Sequence, residues 1–347
     1  MTRHLFAVCF IICATFGAVN AFDPPPDSRP LRKFEFSEPH MGTTCKIVLF
    51  APDETVAKKA AKAAFERVAE LNRAMSDYDP DSELMRLCKK AGGPPVKVGD
   101  DLLSILKTSN EIADATGGAF DVSISPVVRL WRRARRTREL PPADALKKAM
   151  ALVDFRKIVI RANDKTVQLL IDGMMLDLGG IAKGYAAEAA IAVLRRHGVT
   201  RALVALGGDI AVSEPPPDER GWKIAVEKLA VDQPDTYVSL ANASISTAGD
   251  ANQFVVIGGK RYSHIVDPKT GLGLTARRSV TVVSSSGALA DGFDTALCVL
   301  GKEKAMKLVE ARADIACLFA EINDADKVEV VHSSRFVKHL VNGGTAP

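Results

Sequence analysis

The sequence predicts an α+β fold, in which mixed sheets are covered by packed helices. Segments with strand and helix patterns follow one another without the regular strand–helix–strand cadence of a doubly wound sheet. The chain has 347 residues, 47% of them hydrophobic and 25% charged, as in folded globular proteins. This length can bury a large core, either as one large domain or as two closely joined lobes.

Hydrophobic periodicity predicts the individual elements. Leu71 and Met75, four residues apart, belong to one apolar helical face, and three serines at 284–286 can cap the helix that follows them. The predicted helices cover residues 57–75, 100–115, 182–197 and 287–300. The predicted strands cover residues 43–50, 156–160, 166–171, 174–177, 279–284, 315–320 and 327–331, with further short strands between turns up to Ile265.

The N-terminal 21 residues are predicted to be a cleaved secretory signal peptide. Two basic residues precede an apolar run over residues 5–19, which is shorter than the ~20 residues of a membrane span. Residues 19–21 have the spacing of a signal-peptidase site. An uncleaved membrane anchor is the alternative. We expect residues 22–34 to be a flexible segment and residues 35–340 to form the folded domain.

Charge and cysteine content narrow the classes of function. The net charge of +4, without a basic face interleaved with aromatic side chains, argues against a nucleic-acid partner. Four cysteines follow the predicted signal peptide, and none has the spacing of a metal site. Buried free thiols are the usual outcome in such apolar stretches. Disulfides are possible after export, but no pairing is selected among Cys45, Cys88, Cys298 and Cys317.

The segment Asp177–Tyr185 has the composition of a phosphate-binding turn. A predicted strand ends at Asp177, two glycines turn the chain, and Lys183 lies in the first turn of a helix. Glycines allow close approach of a ligand, and a helix N-terminus favours an anion. A phosphate or pyrophosphate cradle and a plain strand-to-helix turn both fit this pattern.

A second segment carries oxygen ligands on a helix. Asp291 and Thr295 are four residues apart in the predicted helix and therefore share a face. Carboxylate and hydroxyl oxygens are the ligands that Mg²⁺ prefers. The alternative is an aspartate that interacts only with the helix dipole.

Other polar turns are ambiguous when each is taken alone. His264 can orient a phosphate or shuttle a proton, or it can be structural. Tyr78 can stack on a flat ring, and the glycines of residues 117–123 can expose amides to a heterocycle, but both segments also fit surface turns. The Gly–Asp turns at 207–210 and 246–250 either shape a pocket or reverse the chain.

The order and spacing of these motifs are specific when taken together. In chain order they are Met41-Gly42-Thr43, Tyr78-Asp79-Pro80-Asp81-Ser82-Glu83-Leu84, Gly118-Ala119-Phe120-Asp121, Asp177-Leu178-Gly179-Gly180-Ile181-Ala182-Lys183-Gly184-Tyr185, Gly207-Gly208-Asp209, Ser246-Thr247-Ala248-Gly249-Asp250, His264-Ile265-Val266-Asp267-Pro268-Lys269-Thr270-Gly271, Ser279-Val280-Thr281-Val282-Val283 and Ala290-Asp291-Gly292-Phe293-Asp294-Thr295-Ala296. From about residue 35 to about 335, this series resembles the ApbE family of flavin transferases.

The resemblance implies an α+β fold with two closely joined lobes, and a Mg²⁺-dependent enzyme exported to the periplasm. Such an enzyme transfers FMN from FAD to a Ser/Thr hydroxyl of an acceptor protein and releases AMP. The acceptors implied are flavin-carrying subunits of membrane redox complexes. Three alternatives are a Mg²⁺-dependent FAD hydrolase, a non-catalytic periplasmic FAD-binding protein, and a structural protein with a relic pocket.

The resemblance also implies roles for individual positions. His264 and Asp291 are the expected catalytic residues. The Mg²⁺ ligands would be the Gly180 carbonyl, the Asp291 carboxylate and the Thr295 hydroxyl. The positions that match FAD contacts are Met41, Tyr78, Ala119, Phe120, Asp121, Asp177, Lys183, His264 and Ile265.

The sequence departs from the usual family pattern at three places. Residues 271–273 replace the usual Gly-Tyr-Pro, and Asp294 can either join the metal site or face solvent. Residues 129–138 contain six arginines, and we expect a solvated basic loop there. The alternative is a docking patch for an acidic partner or for anionic lipid.

Overall fold

An antiparallel sheet of eight strands organises the fold. The computed structural model describes residues 30–231, 233–250 and 253–341, so the predicted signal peptide lies outside the described residues. The strands are β1 (Arg32–His40), β2 (Thr43–Ala51), β3 (Val96–Lys97), β4 (Ile158–Arg161), β5 (Thr166–Leu169), β6 (Ala202–Leu206), β7 (Asp209–Val212), β8 (Trp222–Ala225), β9 (Tyr237–Leu240), β10 (Ala243–Gly249), β11 (Phe254–Ile257), β12 (Lys260–Ser263), β13 (Arg278–Ser284), β14 (Ile315–Ile322) and β15 (Val328–His332). The main sheet has the order β1-β2-β6-β7-β10-β13-β14-β15, and three smaller sheets are β3-β5-β4, β8-β9 and β11-β12.

Eight helices accompany these strands in the described residues. They are α1 (Glu54–Met75), α2 (Glu83–Cys88), α3 (Asp100–Ala115), α4 (Ser125–Thr137), α5 (Ala143–Met150), α6 (Ala182–Arg196), α7 (Gly287–Leu300) and α8 (Lys302–Glu310). Caps fix where several of them begin: the Asp53 carboxylate accepts a hydrogen bond from the Val56 amide (3.0 Å), and the Ser286 hydroxyl accepts one from the Leu289 amide. None of the described helices is both long and apolar enough to span a bilayer.

The main sheet separates two hydrophobic cores, one on each of its faces. Side chains alternate between the faces of a strand, so Ile47 and Leu49 of β2 point into one core and Val48 points into the other. Helices α1, α6 and α7 pack on the first face. The hairpin of β8 and β9, with Trp222 and Val238, covers the second.

Helices α6 and α7 cross at two glycines. A Cβ atom at Gly184 would lie 2.1 Å from the Gly287 carbonyl oxygen, and one at Gly287 would lie equally close to the Gly184 carbonyl oxygen. No larger residue fits at either position without moving a helix. This close approach brings the polar start of α7 against the first turn of α6.

A third, smaller core joins α4 and α5 to the β11–β12 hairpin. The rings of Trp131 and Tyr262 pack with centroids 5.2 Å apart. The Trp131 indole also donates a hydrogen bond to the Gly271 carbonyl (2.8 Å). The described residues from Leu31 onward form one compact unit. Their separate sheets and the helices packed on them confirm the predicted α+β fold.

Most predicted elements are confirmed, but two predictions are wrong. Residues 174–177 do not form a strand, because the Leu176 amide lies against the Cys88 sulfur (3.3 Å) and the Asp177 amide donates to the Val122 carbonyl (2.8 Å). The arginine-rich stretch is helix α4, not a loop. Its buried side chains Val127, Trp131 and Ala134 recur at helical spacing, a pattern that the arginines obscure in the sequence.

Two further observations concern the domain start and the thiols. Strand β1 begins at Arg32, inside the segment 22–34 that was expected to be flexible. The four cysteines of the described residues are buried and free. Burial raises the pKa of Cys88 to about 11, which keeps this thiol protonated and unreactive at neutral pH.

Candidate functional site

One cavity of about 600 Å³ brings together all the predicted site residues. Its walls come from the β1–β2 turn, the segment after α1, the face of α4, the start of α6, and the strands and helix around α7. The predicted residues that line it are Met41, Tyr78, Ala119, Phe120, Asp121, Asp177, Gly180, Lys183, His264, Ile265, Asp291 and Thr295. Motifs far apart in the sequence therefore meet at one site.

A two-residue turn presents Met41 to the cavity. His40 and Thr43 pair across β1 and β2, and the two residues between them have positive φ angles, 49° for Met41 and 73° for Gly42. Short hairpin turns require this left-handed backbone, which a residue with a side chain adopts less readily than glycine. The geometry of the turn therefore holds Met41 beside the cavity in a strained backbone conformation.

Arg132 contacts both the exposed ring of Tyr78 and the carboxylates of Asp77 and Asp177. Its guanidinium donates to the Asp177 carboxylate (2.8 Å) and contacts the Asp77 carboxylate. Burial lowers the pKa of Arg132, but the two carboxylates outweigh that effect and keep the side chain charged. The guanidinium also lies 4.5 Å from the ring centre of Tyr78, whose side chain is 77% exposed. An exposed aromatic ring held by a cation is suited to stack on a flat ligand.

The two aspartates among the predicted FAD contacts, Asp121 and Asp177, accept hydrogen bonds from other groups of the protein. Asp121 is buried, and its carboxylate accepts hydrogen bonds from the Ser123 amide (2.8 Å) and the Phe155 amide (3.0 Å). Asp177 accepts from the Gly179 amide (2.8 Å) as well as from Arg132. Both carboxylates therefore hold the loops that form the cavity walls.

Three buried carboxylates form the polar end of the cavity. Asp209, Asp291 and Asp294 each offer an oxygen, and these oxygens all lie within 4.8 Å of one another. Asp209 follows the turn between β6 and β7, whereas the other two belong to α7. Burial and the neighbouring Asp209 raise the pKa of Asp291 to about 7. Like charges held this closely repel one another, so the cluster favours a proton or a bound cation.

The Ser246 hydroxyl lies between the carboxyl groups of Asp209 and Asp294, and its position indicates that one of them is protonated. Its hydroxyl lies 2.6 Å from an Asp209 oxygen and 2.5 Å from an Asp294 oxygen. A hydroxyl donates a single proton, so one of the two carboxyl groups must donate in return. Burial, with repulsion from Asp291, raises the pKa of Asp294 well above its usual value. Asp294 is therefore the protonated member, and it is 1% exposed rather than facing solvent.

Lys183 is the counter-charge of the three aspartates. Its ammonium contacts the Asp209 carboxylate. Burial lowers the pKa of Lys183, but attraction to Asp291 and Asp209 outweighs burial and raises that pKa above its usual value. The cluster therefore holds three carboxyl groups and one ammonium group, and a divalent cation would help to balance their charge.

The predicted magnesium ligands fit a divalent cation. Gly180 lies beside Thr295, because a Cβ atom at Gly180 would be 3.3 Å from the Thr295 hydroxyl oxygen. One oxygen of Asp291 accepts a hydrogen bond from the Gly184 amide (2.9 Å), which orients the carboxylate. Gly180, Asp291 and Thr295 line the same cavity, and carbonyl, carboxylate and hydroxyl oxygens are the donors that Mg²⁺ takes.

His264 lies in the cavity wall in a form that can accept a proton. Its Nδ1 lies 3.1 Å from the Gln253 carbonyl oxygen. A carbonyl only accepts, so Nδ1 carries the hydrogen and Nε2 keeps a lone pair. Burial lowers the pKa of His264, and the cations Arg135 and Lys183 lower it further. The neutral imidazole therefore persists at pH 7.

Sequence reasoning missed four side chains of the site: Asp209, Ser246, Arg132 and Arg135. The Gly–Asp and Ser–Thr turns gave a signal for the first two. Only the folded structure shows that Ser246 meets both Asp209 and Asp294 of α7. The two arginines were hidden within a run of like residues. Their positions depend on which face of α4 is buried, and the loop prediction left that face undefined.

Comparison with known proteins places this geometry in one family. The model of the ApbE family matches residues 41–319. A FAD:protein FMN transferase of Vibrio cholerae is 31% identical over 305 residues, covering 86% of this chain and 91% of that protein. A FAD:protein FMN transferase of Treponema pallidum is 32% identical over 332 residues, covering 88% of this chain and 91% of that protein.

Solved structures agree with this comparison. The flavin transferase ApbE of Vibrio cholerae has a TM-score of 0.81 and 32% identity, covering 90% of this chain and 100% of that chain. The flavinyl transferase ApbE of Pseudomonas stutzeri, in its apo form, has a TM-score of 0.80 and 27% identity, covering 90% of this chain and 98% of that chain.

Proposed function

The chain belongs to the ApbE family, and on this premise we propose that it transfers FMN from FAD to a serine or threonine hydroxyl of an acceptor protein. The observation that carries the proposal is the convergence of the family motifs on one cavity. An aromatic rim suited to a flat ring opens that cavity. A buried cluster of acid and lysine, suited to a metal–phosphate group, closes it.

The reaction exchanges one phosphorus–oxygen bond for another. The acceptor hydroxyl oxygen bonds to the phosphorus of the FMN half, the bond between that phosphorus and the bridging oxygen breaks, and AMP leaves. The proton of the hydroxyl passes to a base, and the electron pair of the broken bond stays with AMP. Such transfers depend mainly on positioning and charge stabilisation.

His264 is the base that the geometry supports. The Gln253 carbonyl holds the proton on Nδ1, which leaves Nε2 to accept the proton of the attacking hydroxyl. The lowered pKa of His264 keeps the imidazole neutral before the reaction. A protonated imidazole could not take up this proton.

Lys183 and the start of α6 stabilise negative charge near the reacting phosphorus. The ammonium stays charged against Asp209, and the amides of a helix N-terminus favour an anion. Gly180, Asp291 and Thr295 would hold Mg²⁺, and Asp209 and Asp294 would stand beside it. Bound Mg²⁺ would supply Lewis-acid neutralisation of the phosphate oxygens.

Export and the class of acceptor are part of the proposal. The apolar run over residues 5–19 supports secretion to the periplasm or to the outer side of the cytoplasmic membrane. The acceptor would then be a flavin-carrying subunit of a membrane redox complex that exposes a serine or threonine on that side.

The test is AMP release from FAD by the purified mature protein, followed with Mg²⁺ and with EDTA. We expect release with Mg²⁺ only, and its loss in Asp291→Ala. Asp314→Ala is the matched control, because it removes an exposed carboxylate that pairs with Arg312 outside the cavity. FAD that binds but stays intact under all conditions would instead favour a flavin carrier.

A further inference from the structure

The three cations of the cavity differ in how their charge is balanced. Lys183 contacts Asp209, and Arg132 lies between Asp77 and Asp177. For Arg135 no carboxylate lies within ion-pair distance in residues 30–231, 233–250 and 253–341. A partly buried guanidinium without a counter-charge is costly, so its position in a ligand cavity suggests that the ligand provides the anion.

Helix α4 directs Arg135 into the cavity. Ile124, Val128, Arg132 and Arg135 line the cavity and recur at spacings of four, four and three, which places them on one helical face. Exposed arginines of the same helix, such as Arg133, lie outside this face. The third core, in which Trp131 is buried, fixes the rotation of α4 and therefore this division of the arginines.

The surroundings of Arg135 indicate which part of a ligand it would meet. Burial and the neighbouring Arg132 lower its pKa, so its charge is under repulsion before a ligand binds. Arg135 and Lys183 both lie close enough to His264 to affect that imidazole. His264, Arg135 and Lys183 line the same cavity, so an anion bound there beside His264 would be attracted by both cations.

We propose that Arg135 binds a phosphate of the FAD diphosphate in the cavity that it lines together with the acidic cluster, and so selects flavins that carry phosphate. The diphosphate is the one group of FAD that is anionic at neutral pH. The planar guanidinium can donate two hydrogen bonds to a phosphate at once. This inference rests on the proposed function, and it identifies Arg135 as a specificity-determining residue of that site.

The test compares the affinities of FAD and riboflavin, which share the ring but not the phosphates. Binding is measured by flavin fluorescence in EDTA, where no transfer occurs. We expect Arg135→Ala to weaken FAD binding by about tenfold or more, as for loss of a charge-assisted pair. Riboflavin binding should change less than twofold. Arg135→Lys should retain part of the FAD affinity.

Arg133→Ala is the matched control, because it removes the same charge from an exposed position of the same helix. The inference is overturned if Arg135→Ala and Arg133→Ala bind FAD equally well. It is also overturned if Arg135→Ala weakens riboflavin as much as FAD, since the side chain would then contact the ring. A wild-type protein that binds no FAD would overturn the proposed function together with this inference. Circular dichroism of each variant separates these outcomes from unfolding.

Discussion

Replacement of Asp291 by Asn tests the electrostatics of the site through stability instead of catalysis. The substitution keeps the shape of the side chain and an oxygen that can accept from the Gly184 amide, but it replaces one of three clustered, buried carboxyl groups with a neutral amide. In the metal-free protein we expect Asp291→Asn to be more stable than the wild type at pH 8. Replacement of an aspartate with an ordinary structural role would instead be expected to lower the free energy of unfolding.

The magnitude follows from the raised pKa. A rise from 3.8 to about 7 for Asp291 corresponds to about 4 kcal/mol at 1.36 kcal/mol per pH unit. Burial is the largest cause of this rise, and the titration of Asp291 depends on Asp209 and Lys183, so we expect about half of this, or about 2 kcal/mol, from one substitution. The pKa of Asp291 in the folded state lies above its value in the unfolded state. The free energy of unfolding of the wild type therefore falls by this amount as the pH rises from about 4 to about 7.

Urea unfolding at pH 5 and pH 8, in EDTA and in Mg²⁺, measures the effect. In EDTA, the wild type should lose stability relative to Asp291→Asn as the pH rises. Mg²⁺ should stabilise the wild type at pH 8 but not the variant. Asp314→Asn, which alters an exposed carboxylate, should follow the wild type throughout. A variant less stable than the wild type in EDTA at pH 8 would refute the electrostatic argument.

Three further predictions concern the cavity walls and the base. Gly184→Ala should lower the free energy of unfolding by about 3 kcal/mol, because its methyl group would meet the Gly287 carbonyl at 2.1 Å; a loss below about 0.5 kcal/mol in urea unfolding would contradict the close helix crossing. His264→Gln should slow transfer by about 100-fold. It should also abolish the fall in kcat/KM at low pH, and in the wild type the midpoint of that fall should lie below 6.5. An unchanged pH profile would exclude His264 as the base. Arg132→Gln should lower the free energy of unfolding by about 2 kcal/mol by leaving two partly buried carboxylates without a cation, whereas Arg133→Gln should cost almost nothing. Equal stabilities of the two variants in thermal melts would contradict this role of Arg132.

The parts of the fold set by local pattern could be predicted from the sequence. Helix α3 was predicted with the bounds Asp100–Ala115 that the structure has, because its apolar spacing and polar flanks are local signals. Asp291 and Thr295 lie on one helix, α7, as their spacing predicts. Their meeting with Gly180 depended on family resemblance, since no local pattern links residues more than a hundred positions apart.

The errors arose where tertiary partners replaced local preference. Residues 174–177 look like a strand, but their backbone amides bond to the carbonyl of Val122 and to the sulfur of Cys88. Helix α4 was obscured by charge, because its buried stripe of Val127, Trp131 and Ala134 is narrow. The balance of charge around Arg135 could be seen only once the partners of Arg132 and Lys183 were located in space.

The most direct test of the central claim is the covalent state of an acceptor. The mature protein is incubated with FAD, Mg²⁺ and a purified flavin-carrying membrane subunit produced without its flavin. The acceptor is then weighed as an intact protein and inspected for flavin fluorescence after denaturation. We predict a mass gain of one FMN group on a serine or threonine, with release of an equal amount of AMP and no gain with Asp291→Ala. AMP and free FMN without any mass gain on the acceptor would contradict transfer and leave FAD hydrolysis as the activity.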